Sequence, residues 1–338
     1  MNWKKTRILI TGGASFIGSH LVDALVKLGA KVRVVDNLIS GKKDNLKSHI
    51  KNSAIEFIQA DLMNSAVTKK ACSNIDVVFH LACDHGGRGY VDLHQAACST
   101  NLTLDGAVFL TAIKQGVEKI VFASSGCVYP NFLQTNPKKN LYLKENLVKP
   151  PFDADNMYGW AKLMGELTLK AFYHEWGIKT ASCRYFTVYG ERGLENHAVI
   201  AMIAKAFIKQ DPFEIWGNGE QIRNWTYVGD IVKGTILAAE KLHDGTAVNL
   251  GTMERIKVID AVQEICKYTK FHPRIKFKPN MPIGPLNRVA DNSLAYKLLG
   301  WKPKVKFFNG LHKTIEWYFT THDRNIVRET VEHRLTER

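Results

Sequence analysis

Residues 7–11 (RILIT) form a short apolar run that ends in glycines, and Ile17, Leu21, Leu25 and Leu28 then recur at the spacing of one helix face. The pattern predicts a strand, a tight turn and a helix. Further strands are predicted at 31–36 (KVRVVD), 55–59, 76–81 (DVVFHL) and 119–124 (KIVFAS), with a helix over 91–115 between the last two. A long helix over 156–176 leads into a sixth strand at 179–185 (KTASCRY). Strands that alternate with helices require a parallel sheet covered on both faces, because parallel neighbours can be joined only by a crossover. The expected fold is therefore α/β with a doubly wound parallel sheet.

Beyond residue 185 the pattern loosens. Residues 196–209 and 231–242 read as helices, 214–216 and 224–228 as short strands, and 247–250 as a seventh strand returning to the sheet. From Lys257 on, helices alternate with connections that contain Pro273, Pro279, Pro282, Pro285 and Pro303. The boundaries that follow are a first domain at 1–185, to which 228–251 return, a smaller C-terminal α/β lobe from 186–227 and 252–325, and a charged tail at 326–338. No internal repeat is visible.

Composition narrows the partners. The chain has 338 residues, 45% of them hydrophobic, which supports a full core. Its 46 Lys plus Arg against 32 Asp plus Glu give a net charge of +14. These cations are spread along the chain, with short clusters at 42–43, 69–70 and 138–139 and no basic helix. That distribution fits a solvated surface with a few cations reserved for an anionic small molecule, not a nucleic-acid partner. No apolar run approaches the roughly 18 to 20 residues of a membrane span, and the apolar stretch near the N-terminus is too short for a signal peptide. No membrane partner and a cytoplasmic location are expected. The six cysteines show neither a CxxC nor a Cys/His cluster, so free thiols and no metal are expected.

Residues 11–18 read TGGASFIG. A turn this tight between strand and helix aims free backbone N–H groups and the positive end of the helix dipole at a diphosphate. Asp36 ends the second strand, 24 residues after Gly12. A carboxylate there accepts both adenine-ribose hydroxyls and repels a 2′-phosphate, which favours NAD over NADP. The combination reads as a Rossmann-type dinucleotide site.

At this point the chain resembles the extended short-chain dehydrogenase/reductases that act on nucleotide sugars. Their glycine pattern, GxxGxxG, falls on Gly12, Ser15 and Gly18, with Ser15 departing from it; Phe16, Ile17 and Asn37 flank the same cofactor contacts. Asp61-Leu62 resembles the family's adenine-contacting pair, and His80-Leu81-Ala82 its strand-four segment beside the cofactor. Ordinary sheet packing is the alternative for these. Tyr158 and Lys162, four apart on one face of the predicted helix, match the family's catalytic pair. The resemblance implies that Tyr158 takes a proton from a sugar hydroxyl as hydride leaves the same carbon for NAD. Lys162 would hold the nicotinamide ribose and lower the tyrosine pKa.

The segment 124–130 (SSGCVYP) carries Ser125 and, at the family's Ser/Thr position, Cys127. A thiol bonds hydrogen poorly but carries protons well, since its pKa of about 8.5 responds to nearby positive charge; the alternative is a small buried filler. The Asp-Glu pair of the dehydratase members is absent. Residues 84–90 (DHGGRGY), with Gly87 and Arg88, together with Cys127 resemble the GDP-mannose 3,5-epimerase branch. Its chemistry oxidises C4, exchanges protons at C3 and C5 and returns the hydride. His197 falls where that branch has an acid-base lysine; a polar residue at a helix start is the alternative. Gln221, Arg223 and Arg288 resemble the family's diphosphate-binding segments, since a planar guanidinium suits phosphate. Lys205 is a further candidate cation, Trp216 a candidate base contact and Thr187 stands where Asn is common.

The resemblance thus implies an NAD-dependent nucleotide-sugar epimerase, with a GDP-hexose the favoured substrate and a homodimer the expected assembly. A UDP-sugar 4-epimerase and a catalytically idle NAD-binding scaffold are the alternative readings.

Overall fold

The computed structural model describes residues 1–337. Strand β1 (Arg7–Thr11) runs into helix α1 (Phe16–Lys27), then β2 (Lys31–Asp36), α2 (Lys47–Lys51), β3 (Ile55–Gln59), α3 (Ser65–Cys72) and β4 (Val77–His80). The helix expected over 91–115 is three pieces: α4 (Arg88–Leu93), α5 (Gln95–Ser99) and α6 (Asn101–Lys114). It breaks at His94, which leaves the helical region (φ −113°, ψ 53°), so that α4 can turn toward the functional cavity while α6 covers the sheet. Strand β5 (Lys119–Ser125), α7 (Asn156–Trp176) and β6 (Lys179–Tyr185) complete this half.

The second half begins with β7 (Val188–Tyr189), α8 (Ala198–Phe207) and β8 (Phe213–Trp216). The strand expected over 224–228 is instead two short ones, β9 (Ile222–Arg223) and β10 (Thr226–Tyr227), because Val228 already opens α9 (Val228–Lys241). After β11 (Asp244–Leu250) come β12 (Ile256–Lys257), α10 (Val258–Tyr268), β13 (Ile275–Lys278), β14 (Asn287–Arg288), α11 (Ser293–Leu299) and α12 (Phe307–Thr321). The residues expected to form a charged tail are largely helical. α13 (Arg324–Arg334) is capped by the Asp323 carboxylate and buries Val327 and Val331 in the lobe core, because its apolar residues recur four apart beneath an otherwise charged surface.

The central sheet has seven strands in the order β11-β6-β5-β4-β1-β2-β3, with every pairing parallel. The order in which strands are added reverses between β1 and β4, and that switch point opens a crevice at the C-terminal strand ends. α1 and α9 cover one face, packing Leu21, Leu25 and Ile231 against Ile8, Ile10 and Val248. On the other face Val108, Phe109 and Ala112 of α6 and Leu169 of α7 pack against Leu9, Val78 and Phe122. Each Val, Leu, Ile or Phe among them, fully buried, contributes about 1.5–3 kcal/mol. The lobe has its own core around Ile203, Trp225, Ile265, Phe307 and Tyr318.

One stretch departs from the expectation that no apolar run is long enough to cross a membrane. Residues Gln95–Lys114 are long and apolar enough, by length and composition, to cross a membrane; Thr100 and Asn101 interrupt the run in the sequence. In the fold this stretch covers the sheet through α6.

Candidate functional site

The glycine turn is built by close approach. Gly12 has φ +68°, and a Cβ there would stand 2.9 Å from the Ala82 backbone nitrogen; one on Gly18 would stand 2.2 Å from the Gly12 carbonyl oxygen. These contacts seat α1 against the turn and leave its first N–H groups facing the crevice. Ser15 fits without disturbing them, because its hydroxyl donates to the Gly12 carbonyl at 2.6 Å. Phe16, Ile17 and Leu81 line the crevice. Asp36 is buried and accepts from Ala14 N (2.9 Å) and Leu38 N (2.8 Å). Burial raises its pKa, and those two N–H groups partly offset the rise. Asn37 and Asp61 are exposed and accept from backbone N–H groups two residues on, of Ile39 and Met63, while Leu62 is buried.

Beneath the turn lies a relay that the sequence reading missed. Thr11 Oγ1 accepts from Leu81 N and Ala82 N, both at 3.1 Å. Its proton therefore points to His80 Nδ1, 2.8 Å away, and His80 Nε2–H donates to Asp105 at 2.9 Å. The relay locks β1 to β4 where the crevice opens.

At the reacting end, β5 ends in Ser125, the turn after it carries Cys127, and the first two turns of α7 carry Tyr158 and Lys162. Ser125 Oγ accepts from Cys127 N at 3.1 Å. Ser125, Cys127, Tyr158 and His197 all line one cavity of about 360 Å³. Burial pushes the Tyr158 phenol well above its ordinary pKa; Cys83 and Cys127 reinforce the shift and a hydrogen bond with Ser125 opposes it. The lowering expected from Lys162 is not realised in the protein alone, since Lys162 Nζ lies 5.8 Å from the Tyr158 ring and 4.6 Å over Phe122. That ammonium is 1% exposed and, among the described residues, has no oxygen or nitrogen partner; the polar group it meets is the Cys83 thiol. A buried cation with no carboxylate to balance it, beside Tyr158 and Cys83, fits a dinucleotide whose ribose hydroxyls accept from it.

His197 departs from the sequence reading of a group that exchanges protons near neutrality. It stands before the first turn of α8, with its ring 5.9 Å from His85 and 6.5 Å from Phe16. Burial lowers its pKa to about 4, so the imidazole is neutral at physiological pH and offers a lone pair, not a proton.

Around Cys127 three guanidinium groups converge. Arg288 donates from Nη1 to Cys127 Sγ (3.1 Å), from Nε to Gln134 (2.7 Å) and from Nη2 to Asp155 (2.9 Å). Arg88 donates to the same Asp155 carboxylate and to Asp92. Among the described residues Arg223 pairs with no carboxylate; it donates to the carbonyls of Ile222 and Ile283. Burial, then the charges of Arg288 and Arg88, lower its pKa to about 9. Lys205 is similar: buried, lowered by burial and bound to the Glu214 carbonyl at 2.8 Å. Unpaired buried cations call for an anion, and a diphosphate supplies one.

Thr187, Trp216 and Gln221 line the same cavity. Gln221 donates to Trp216 O at 3.0 Å and keeps a buried, unpartnered Oε1. A Cβ on Gly87 would fall 1.5 Å from the Asn196 carbonyl oxygen, so only glycine lets the 84–90 loop lie against the start of α8. The sequence reading missed Asp92, Gln134 and Asp155. Only Asp155 left a signal, as the carboxylate three residues before Tyr158. All six cysteines are free. Among the described residues no group of His, Cys, Asp or Glu is arranged to hold a metal ion.

A doubly wound parallel sheet with a glycine-turn crevice, and a Tyr-Lys pair opposite an anion-seeking cleft, define a dinucleotide-dependent enzyme of the short-chain dehydrogenase/reductase type. The chain belongs to the NAD dependent epimerase/dehydratase family, whose model matches residues 8–251. It is 30% identical to GDP-mannose 3,5-epimerase 1 of Oryza sativa subsp. indica, over 99% of this chain and 85% of that protein. To UDP-glucuronic acid decarboxylase 1 of Arabidopsis thaliana it is 29% identical, over 92% and 69%. The crystal structure of UDP-glucuronic acid 4-epimerase from Bacillus cereus, in complex with UDP-glucuronic acid and NAD, superposes with a TM-score of 0.83 at 29% identity. That match covers 94% of this chain and all of that one. The cofactor of this family is NAD.

Proposed function

We propose that this chain is a nucleotide-sugar epimerase working at C3 and C5 of a GDP-hexose, or a close variant of that reaction. The observation that carries the reading is the Cys127 thiol, held by Arg288 in the same cavity as Tyr158. Simple 4-epimerisation has no use for a thiol there; proton exchange beside a ketone does.

NAD, when bound, supplies the reversible oxidation of the sugar at C4. Tyr158 takes the C4 hydroxyl proton and later returns it, with the charge of Lys162 favouring the phenolate once its ammonium is engaged by ribose. Ser125 hydrogen-bonds the C4 oxygen. A C4 ketone acidifies the protons on C3 and C5. At one centre His197, neutral in the free protein, accepts the ring proton while the Cys127 thiol delivers its own to the opposite face; at the second centre the roles reverse, so both groups return to their starting state. Arg223, Arg288 and Lys205 hold the diphosphate.

The low pKa of His197 favours one alternative, a 4-epimerase that needs only the redox pair. We further propose a homodimer. Trp160, Met164 and Leu167 on α7 and Leu102 and Leu110 on α6 are each more than a third exposed, an apolar patch of the kind that another copy covers.

Proton NMR in deuterated water tests the reading with GDP-mannose and UDP-glucose as separate substrates. Deuterium at C3 or C5 of the GDP-sugar is expected. Conversion of UDP-glucose at C4 without ring deuteration would replace the proposal with the 4-epimerase.

A further inference from the structure

Residues 324–337 lie outside the segment matched by the family model, yet they reach the cavity. α13 packs Val327 and Val331 into the lobe core. Its last turn brings Leu335 into the cavity wall together with Trp216, Lys205 and Arg223.

Three contacts hold it there. A Cβ on Gly89 would stand 2.8 Å from the Leu335 carbonyl oxygen and 3.1 Å from both Thr336 Cγ2 and Trp216 Cη2. The start of α4, the end of α13 and the tip of the indole therefore meet where only a glycine fits. At the other end of α4, His94 Nε2 lies 3.1 Å from Glu337 Oε1 while its ring stacks on Tyr90 at 4.3 Å. Glu332 accepts from Gln210 at 3.0 Å, and its charge partly offsets the burial of Lys205.

We infer that the segment 324–337 is part of the substrate site and that Leu335 is a specificity-determining residue for the nucleoside diphosphate half of the substrate. The inference rests on the nucleotide-sugar reading of the cavity. Leu335 gives the cavity an apolar wall beside Trp216, against which the flat face of a nucleobase loses water. The His94–Glu337 pair keeps α4, and with it Arg88, pressed to that wall. Side-chain volume at position 335 then sets how much room the base has.

Calorimetric titration of the full chain with UDP and with GDP tests this, with NAD as a control ligand at a separate part of the crevice. Leu335→Trp fills the wall and should weaken the better-bound diphosphate by about tenfold or more, with NAD affinity and Tm unchanged. Leu335→Ala, which adds no bulk, should weaken it several-fold. Glu337→Gln should raise amide hydrogen exchange across 88–94. Wild type that binds UDP or GDP while both Leu335 variants bind it equally well would overturn the inference alone. Wild type that binds neither would overturn the nucleotide-sugar reading, and the inference with it.

Discussion

Asp155 receives Nη2 of Arg288 at 2.9 Å, and through that bond it sets where Arg288 meets Cys127. Asp155 immediately precedes α7, three residues before Tyr158, and its own N–H donates to the Cys127 carbonyl at 2.8 Å. One residue thus fixes the start of the helix that carries the redox pair and the arginine that holds the thiol. The two halves of the proposed chemistry are mechanically linked, and the link also carries Arg88 from the substrate loop.

Asp155→Ala should destabilise the protein by about 3–5 kcal/mol, because it leaves buried guanidinium groups uncompensated. Urea denaturation measures this. Burial pushes the Asp155 carboxyl up, but Arg288 and Arg88 together outweigh it and hold the pKa below its ordinary value of 3.8. The stability it contributes is therefore complete above that ordinary value and lost as pH falls through the lower folded one. The wild type should lose stability more steeply below about pH 4 than the variant does. Equal acid profiles would remove Asp155 from the role described.

Much of this was legible in the chain, for identifiable reasons. The six strands of the first half and the helix from Asn156 show strong periodicity, and each was placed to within a residue or two. Gly12, Gly18, Tyr158 and Lys162 were legible because backbone approach and an i, i+4 pair leave a fixed spacing. The break at His94 was not, since it follows from packing between α4 and the end of α13, hundreds of residues away. Nor were Asp92 and Gln134, whose roles exist only once three distant arginines are brought together. The burial of His197, and with it the low pKa, is a property of the folded cavity that no local pattern encodes.

Lys162→Met should abolish measurable turnover and weaken NAD binding while leaving the free protein no less stable. The ordinary expectation for a buried lysine is a structural ion pair, whose loss costs stability. Here the ammonium has no carboxylate partner among the described residues, only the Cys83 thiol, so its replacement removes a poorly compensated buried charge. Thermal melts with and without NAD distinguish the cases: a marked fall in Tm of the cofactor-free variant would mean that Lys162 is structural.

Gly18→Ala and Ser15→Ala should differ sharply although both alter the same turn. The first places a Cβ 2.2 Å from a backbone oxygen, a clash that only movement of the turn relieves. NAD affinity should fall by about a hundredfold or more, or about 2.7 kcal/mol. The second removes only a hydroxyl already bound to the Gly12 carbonyl, so affinity should change by less than about threefold. Fluorescence titration with NADH measures both, and a large effect of Ser15→Ala would mean that the hydroxyl serves the phosphates instead.

Leu110→Glu on α6 and Met164→Arg on α7 should convert the proposed dimer to a monomer without unfolding it. Both positions are more than 40% exposed within one chain, so a charge costs little there unless another copy covers it. Sedimentation velocity gives the answer directly. A wild type already monomeric at micromolar concentration would end the dimer proposal.

His197 gives the sharpest pH prediction. Its pKa of about 4 lies below the ordinary 6.5, so between those values the unfolded chain binds a proton there that the folded chain does not. Stability contributed by the neutral ring is complete above pH 6.5 and is lost as pH falls toward 4. The full difference corresponds to roughly 3 kcal/mol, and to less in so far as cavity water reaches the ring. His197→Gln keeps a polar side chain without this titration, so its unfolding free energy should be flatter than wild type between pH 4 and 6.5. The same substitution separates chemistry from structure: deuterium exchange at one ring carbon should be lost while C4 oxidation, followed by nicotinamide absorbance, continues. If both persist, His197 carries no proton and the reaction runs on Cys127 alone, which would confine it to a single inverted centre.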